Sequence, residues 1–146
     1  MRYLTKEWYL ACQTRPMTQA VQKKLDDISK AYRDAIKANG LPDELNRNFS
    51  FHDGIIREII SGTDHAFRID CPFSEYHTVI FRSAILKQEQ PPVGAAWLYQ
   101  ELYRHKSGTG YEAHILFYAP AKTAQRRISA SDLIDTKIIC SGIDFA

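Results

Sequence analysis

What this sequence lacks narrows its class before anything present is weighed. No apolar run approaches the ~20 residues that cross a bilayer, so no membrane span is expected. Cysteine is scarce: Cys12, Cys71 and Cys140 are odd in number, widely spaced and without a C-x-x-C pair. Free thiols in a reducing cytoplasm therefore fit better than a disulfide framework. Charge of one sign is not in excess. A formal net charge of +2 is too small for a surface that tracks phosphates, and no nucleic-acid partner is expected. The basic pairs Lys23–Lys24 and Arg126–Arg127 read as solvated faces. There is no G-x-S-x-G nucleophile turn, and the glycines of 107–110 (SGTG) lack the lysine and following helix of a phosphate loop. Ser129, Ser131 and Asp132 have no placeable catalytic partner. Charge enters at Arg2, Lys6 and Glu7, too early for the apolar core of a signal peptide, so a cytoplasmic location is expected. No cofactor and no metal is expected.

Repeats, low-complexity tracts and flexible linkers are also missing, so residues 1–146 are read as one domain. At that length a chain buries roughly two-thirds of its extended surface. Apolar residues at 45% and charged residues at 25% are ordinary globular proportions, which argues against disorder.

What is present begins with helices. Thr5 is placed to cap a short helix ending near Gln13, with Leu4 and Tyr9 spaced as a hydrophobic staple. Pro16 suits the start of a longer helix. Val21, Leu25, Ile28, Tyr32 and Ile36 then recur at steps of four, three, four and four, one apolar stripe on a 3.6-residue period. Asn39-Gly40 and Pro42 end it. Each large stripe residue contributes ~1.5–3 kcal/mol if fully buried, so the helix needs a partner surface.

From Asn48 the pattern is extended. Phe49 and Phe51 alternate, His52-Asp53-Gly54 interrupts, and residues 55–60 resume, Gly54 marking a bulge. Phe67, Ile69 and Cys71 share one face of a second strand. Val79, Phe81 and Ile85 share one face of a third, read as residues 78–86. Residues 97–118 form a hairpin around a Lys-Ser-Gly-Thr-Gly loop, closed by Pro120. The tail alternates from Arg127 to Cys140, with Ile128, Ile134, Ile138 and Ile139 as candidates for burial. The expectation is an α+β fold: N-terminal helices (1–45) packed on one face of an antiparallel, mostly meander sheet of about six strands (46–146).

The hairpin carries the strongest candidate site. With a four-residue loop, Glu101 lies opposite His114 and Tyr103 opposite Glu112, and Trp97, Tyr99, Glu101, Tyr103, Glu112 and His114 share a face. With a five-residue loop Arg104 faces Glu112 instead, and both registers stay open. In the first, a carboxylate beside the imidazole raises the histidine pKa and suits proton transfer or metal binding. The alternative is an ordinary polar sheet surface with cross-strand pairs. His52 and Asp53 form a second, weaker candidate; they converge only if a bulge turns them, and Asp53 accepting backbone amides at a turn explains them equally well. His65 and His77 lie near turns and are expected to be exposed. Cys12, beside Trp8 and Tyr9, is expected to be buried.

Four stretches carry a family resemblance: MRYLTKEWY from Met1 to Tyr9, FHDGII from Phe51 to Ile56, WLYQE from Trp97 to Glu101, and YEAHIL from Tyr111 to Leu116. Together they resemble a bacterial family known only as domain of unknown function number four thousand and eighty-five, over nearly the whole chain. Gly54 departs from the small polar residue expected there. The resemblance implies a bacterial cytoplasmic protein with no established activity, and it supplies no catalytic residue.

Two functional expectations follow. The first is a non-enzymatic protein-interaction module, immunity- or adaptor-like, that uses Trp97, Tyr99 and Tyr103 against another protein or a second copy of itself. The second is a small metal-dependent or acid/base enzyme using Glu101, Glu112, His114, His52 and Asp53. A small-molecule pocket between the long helix and the sheet is a third.

Overall fold

The structure, a computed structural model, describes residues 1–119 and 127–146; Pro120 and Arg126 lie outside the described residues. Helix α1 (Lys6–Gln13) starts where its cap predicts, the Thr5 hydroxyl accepting from the Trp8 amide at 3.2 Å. Helix α2 (Gln19–Ala38) is capped by Thr18 and ends at Asn39, with Gly40 in the left-handed region at φ 63°. Lys23–Asp27 and Lys30–Asp34 ion pairs run along its outer side. Of the apolar stripe only Leu25 is buried; Ile28, Tyr32 and Ile36 are half-buried, and Val21 is 39% exposed. Among the described residues no helix is long and apolar enough to cross a membrane.

A third helix, α3 (Asp43–Asn48), occupies residues expected to lead into a strand. Pro42 pre-sets its entry, and Asp43 and Glu44 suit the positive end of the helix dipole. Phe49 and Phe51 are therefore not a strand arm. Both are buried, with Leu41 and Leu45 in the same core cluster. The helical part thus runs to residue 48 rather than 45.

The protein is α+β with an antiparallel sheet, of eight strands among the described residues rather than about six: β1 (Ile55–Ser61), β2 (His65–Asp70), β3 (Thr78–Arg82), β4 (Ile85–Leu86), β5 (Ala96–Arg104), β6 (Tyr111–Tyr118), β7 (Leu133–Cys140) and β8 (Gly142–Phe145). The expected third strand is divided at Ser83, whose φ of 47° breaks the extended run, and the tail is divided at Ser141. The order is β4-β7-β6-β5-β1-β2-β3-β8. It is not a simple meander. Two three-strand meanders meet where β1 pairs β5, and their far sides meet as β3 with β8 and β4 with β7.

That second junction keeps one register throughout. Val79 pairs Phe145, Arg82 pairs Gly142, Ile85 pairs Ile139 and Leu86 pairs Ile138. Residues 78–87 and 137–146 thus share one register, interrupted at Ser83–Ala84, and through it the sheet closes on itself as a barrel around its aromatic residues. The β1–β5 junction is the sparser one, with a single bridging pair, Ile55 with Ala96. Gly54 is not in a bulge. It precedes β1, where a Cβ would lie 2.6 Å from Ile69 Cγ2 and 2.8 Å from the Phe51 carbonyl; the irregularity falls between Ile56 and Glu58 instead.

Trp97 sits at the centre of the enclosed core, fully buried, its ring 5.3 Å from those of Phe51 and Phe117 and 5.6 Å from Phe49. A bulge at Leu98 shifts the register between Trp97 and Tyr99. Because of that extra residue, Trp97 faces the core while Tyr99, Glu101 and Tyr103 face outward. The expectation that Trp97 shares their face is corrected here. Leu98 joins Leu116 and Leu133 in a smaller outer cluster, against which Met1, Tyr9 and Leu10 pack.

Candidate functional site

The hairpin adopts the four-residue loop. His105 N–H donates to the Gly110 carbonyl at 3.1 Å, Glu101 pairs His114, and Tyr103 pairs Glu112. On the next strand Lys137 stands beside His114. Glycine is required at 110: φ is 75°, and a Cβ there would overlap the Cys140 carbonyl oxygen.

Glu101 is fully buried, yet its carboxylate is not open to a substrate. It accepts the amide hydrogens of Arg2 (2.6 Å), Tyr3 (2.8 Å) and Leu4 (2.7 Å) and the hydroxyl of Tyr103 (2.8 Å). Burial by itself raises a carboxyl pKa. The amides of Arg2 and Leu4, the Tyr103 hydroxyl and the Tyr3 amide outweigh it here and hold Glu101 below its ordinary value. Burial, and then the same carboxylate, push the Tyr103 hydroxyl far up. Glu101 therefore acts as a clasp for the N-terminal segment, ionised and with its lone pairs occupied.

Although His114 stands opposite Glu101 in the register, its ring bonds instead to Glu112, two residues along its own strand, Nε2 to Oε1 at 2.6 Å. Lys137 Nζ reaches the same oxygen at 2.9 Å, and the Arg2 guanidinium lies 4.0 Å away, over the Tyr103 ring at 3.9 Å. Burial opposes ionisation of Glu112, but the bonds from His114 and Lys137 outweigh it and bring its pKa down to about 2. For His114 burial dominates in the other direction. It lowers the pKa despite the Glu112 bond, contrary to the expectation that a carboxylate neighbour raises it. Its Nδ1 has no hydrogen-bond partner among the described residues.

His52 and Asp53 do meet, Nδ1 to Oδ2 at 3.0 Å, in an exposed turn where Asp53 has φ 63°. The Asp53 carboxylate pairs with its neighbour rather than with turn amides; the Asp53 N–H donates to the Trp97 carbonyl at 2.8 Å. The His52 ring stands 5.2 Å from Tyr99, and the pair shares no bond with Glu112 or His114. Among the described residues no three His, Cys, Asp or Glu side chains are placed to hold a metal. Tyr99 is half-buried under the rings of Trp8 and Tyr9, at 5.2 and 6.1 Å.

The space between α2 and the sheet, lined by Tyr32, Phe49 and Leu102 among others, measures about 50 Å³, room for no more than a water or two. Cys12 is half-buried rather than buried, while Cys71 and Cys140 are buried and free. Ser129 and Asp132 close a 3-10 turn, the Ser129 amide donating to the carboxylate at 2.9 Å. Neither Lys137, brought to Glu112 by the strand register, nor Arg2, brought there by its amide on Glu101, is marked in the sequence as its neighbour.

His65 is also corrected. It is 5% exposed at the start of β2, edge-on to Phe67 at 4.9 Å, with Nδ1 3.3 Å from the Ser61 hydroxyl. Burial lowers its pKa from 6.5, as it does for His114. The unfolded chain therefore takes up these protons first as pH falls, so stability is intact above 6.5 and declines below it. The melting temperature should fall steadily between pH 7 and pH 5, and less steeply in His65→Leu. An unchanged melting temperature across that range would contradict the neutral, buried histidines.

Comparison with protein-family models, curated proteins and solved structures finds no match to this chain.

Proposed function

We propose that this chain is a non-enzymatic interaction module, a cytoplasmic member of the bacterial family it resembles, that holds a protein partner as an immunity or adaptor protein does. The state of α2 carries the reading. We take α1 and α2 as one layer over the outer face of β5, β6 and β7, touching it through Tyr32, whose hydroxyl donates to the Gln100 carbonyl at 2.7 Å, and through Trp8 against Tyr99. This contact buries Leu25 alone of the five stripe residues and leaves Val21 39% exposed. An amphipathic helix with uncovered apolar surface is a recurrent docking element. The acid–base candidates support the same choice over an enzyme. Glu101 spends its lone pairs on the chain's own amides, Glu112 is ionised and paired, the unpartnered Nδ1 of His114 is buried, and His52–Asp53 stands apart, whereas a general base needs a free lone pair within reach of a substrate.

Affinity capture from the native host tests this with paired baits. Wild type should retain one stoichiometric partner, and Val21→Glu should lose it while melting within about 2 °C of wild type, as exposed substitutions do. A partner retained equally by Val21→Glu, or no partner for wild type together with a monomeric mass by light scattering, would defeat the reading.

A further inference from the structure

A cavity of about 560 Å³ opens beside Glu112, where the end of β4, the hairpin loop, β7 and the N-terminal segment meet. Among the described residues five of those lining it, Arg2, Lys87, Arg104, Lys106 and Lys137, are cationic, and Glu112 is the one acid. That is five charges less one, or +4, on a chain whose formal net charge is +2. The rest of the chain therefore sums to −2, and the positive field is concentrated at this opening. From these observations we propose that the cavity binds a small phosphorylated molecule carrying several negative charges.

Most of the cations are held on rigid supports. Arg104 ends β5 and donates to the Gly40 carbonyl at 3.0 Å. Lys137 lies within β7, and Lys87 follows β4 with its amide on the Lys137 carbonyl at 2.8 Å. Arg2 is fixed through its own amide on Glu101 and by its stacking on Tyr103. Glu112 already neutralises part of Lys137 and Arg2, but Lys87, Arg104 and Lys106 form no ion pair among the described residues. Three like charges left facing one opening repel one another, and a compact polyanion relieves that repulsion. Guanidinium and ammonium groups together match phosphoryl oxygens, the first by a planar fork and the second as a point charge. The volume falls in the usual range for small-molecule sites, and a cavity rather than a stripe of cations argues for a small ligand over a nucleic acid. The proposal is independent of the α2 docking reading.

Calorimetric titration of the full chain with pyrophosphate at low ionic strength tests it. Saturable one-to-one binding is expected, weakening with added salt, and K87Q/K106Q should bind about tenfold or more weakly at an unchanged melting temperature. No saturation up to about 10 mM pyrophosphate, or equal binding by K87Q/K106Q, would overturn the proposal. So would a single-stranded oligonucleotide that binds more tightly than pyrophosphate at matched ionic strength.

Discussion

Glu101→Ala should cost about 3–5 kcal/mol, because it leaves several buried donors without an acceptor at once. For a chain of this size that is a fall in melting temperature of about 10 °C. Four bonds of 2.6–2.8 Å converge on this carboxylate, three of them from consecutive amides 97 to 99 residues away in sequence. Leu4, at 4% exposure, cannot readily trade its lost bond for water. Glu101→Gln keeps the shape and one acceptor oxygen and should lose less. Hydrogen exchange localises the effect: the amides of Arg2, Tyr3 and Leu4 should exchange much faster in Glu101→Ala. A melting temperature within a degree or two of wild type, with those amides still protected, would show that the clasp is not what holds the segment.

Trp97→Ala should be at least as severe. Removing a buried tryptophan costs about 3–5 kcal/mol through lost transfer energy and the cavity left behind. Four aromatic rings, Phe49, Phe51, Phe67 and Phe117, stand within 6.4 Å of this one, and little of that space can collapse in a closed barrel. The substitution also strips Gln100 of the indole donor at 2.8 Å. Against a total stability of about 5–15 kcal/mol typical of such domains, that is a large share, and the urea midpoint should fall accordingly. Trp97→Phe keeps an aromatic ring and should fold. Urea denaturation followed by far-UV circular dichroism reads both variants. A Trp97→Ala midpoint equal to that of wild type would mean the ring is not at the centre of the core.

Local chemistry was readable in advance where it acts over a few residues. Thr5 as a cap, the ends of α1 and the stop at Asn39-Gly40 follow from hydroxyl reach and left-handed geometry, and all are found. The register that sets Glu101 against His114 was one of two open choices, and a four-residue loop decided it. What depends on distant packing was not readable. Nothing at Leu98 announces the bulge that turns Trp97 inward, since a bulge is chosen by how both sides of a strand fill. His65 looks like a turn histidine until β3 and Phe67 cover it. Three consecutive amides closing on Glu101 leave no trace in composition, because any residue carries an amide. The tail's second strand was missed because Gly142–Phe145 is short and acquires its pairing only from β3. The cations beside Glu112 are scattered from Arg2 to Lys137, and only the closed sheet assembles them.

The closing ladder also sets an order of events during synthesis. A nascent chain emerges from its N-terminus at about 5–20 residues per second. Residues 2–4 are therefore in solution well before Glu101 exists, and residues 79–82 must wait for their partners at 142–145. Contacts this far apart in the chain cannot form early, and topologies built from them fold slowly. Until residues 142–145 have left the ribosome, the phenylalanine-rich core stands uncovered along one side, the form most in need of a chaperone.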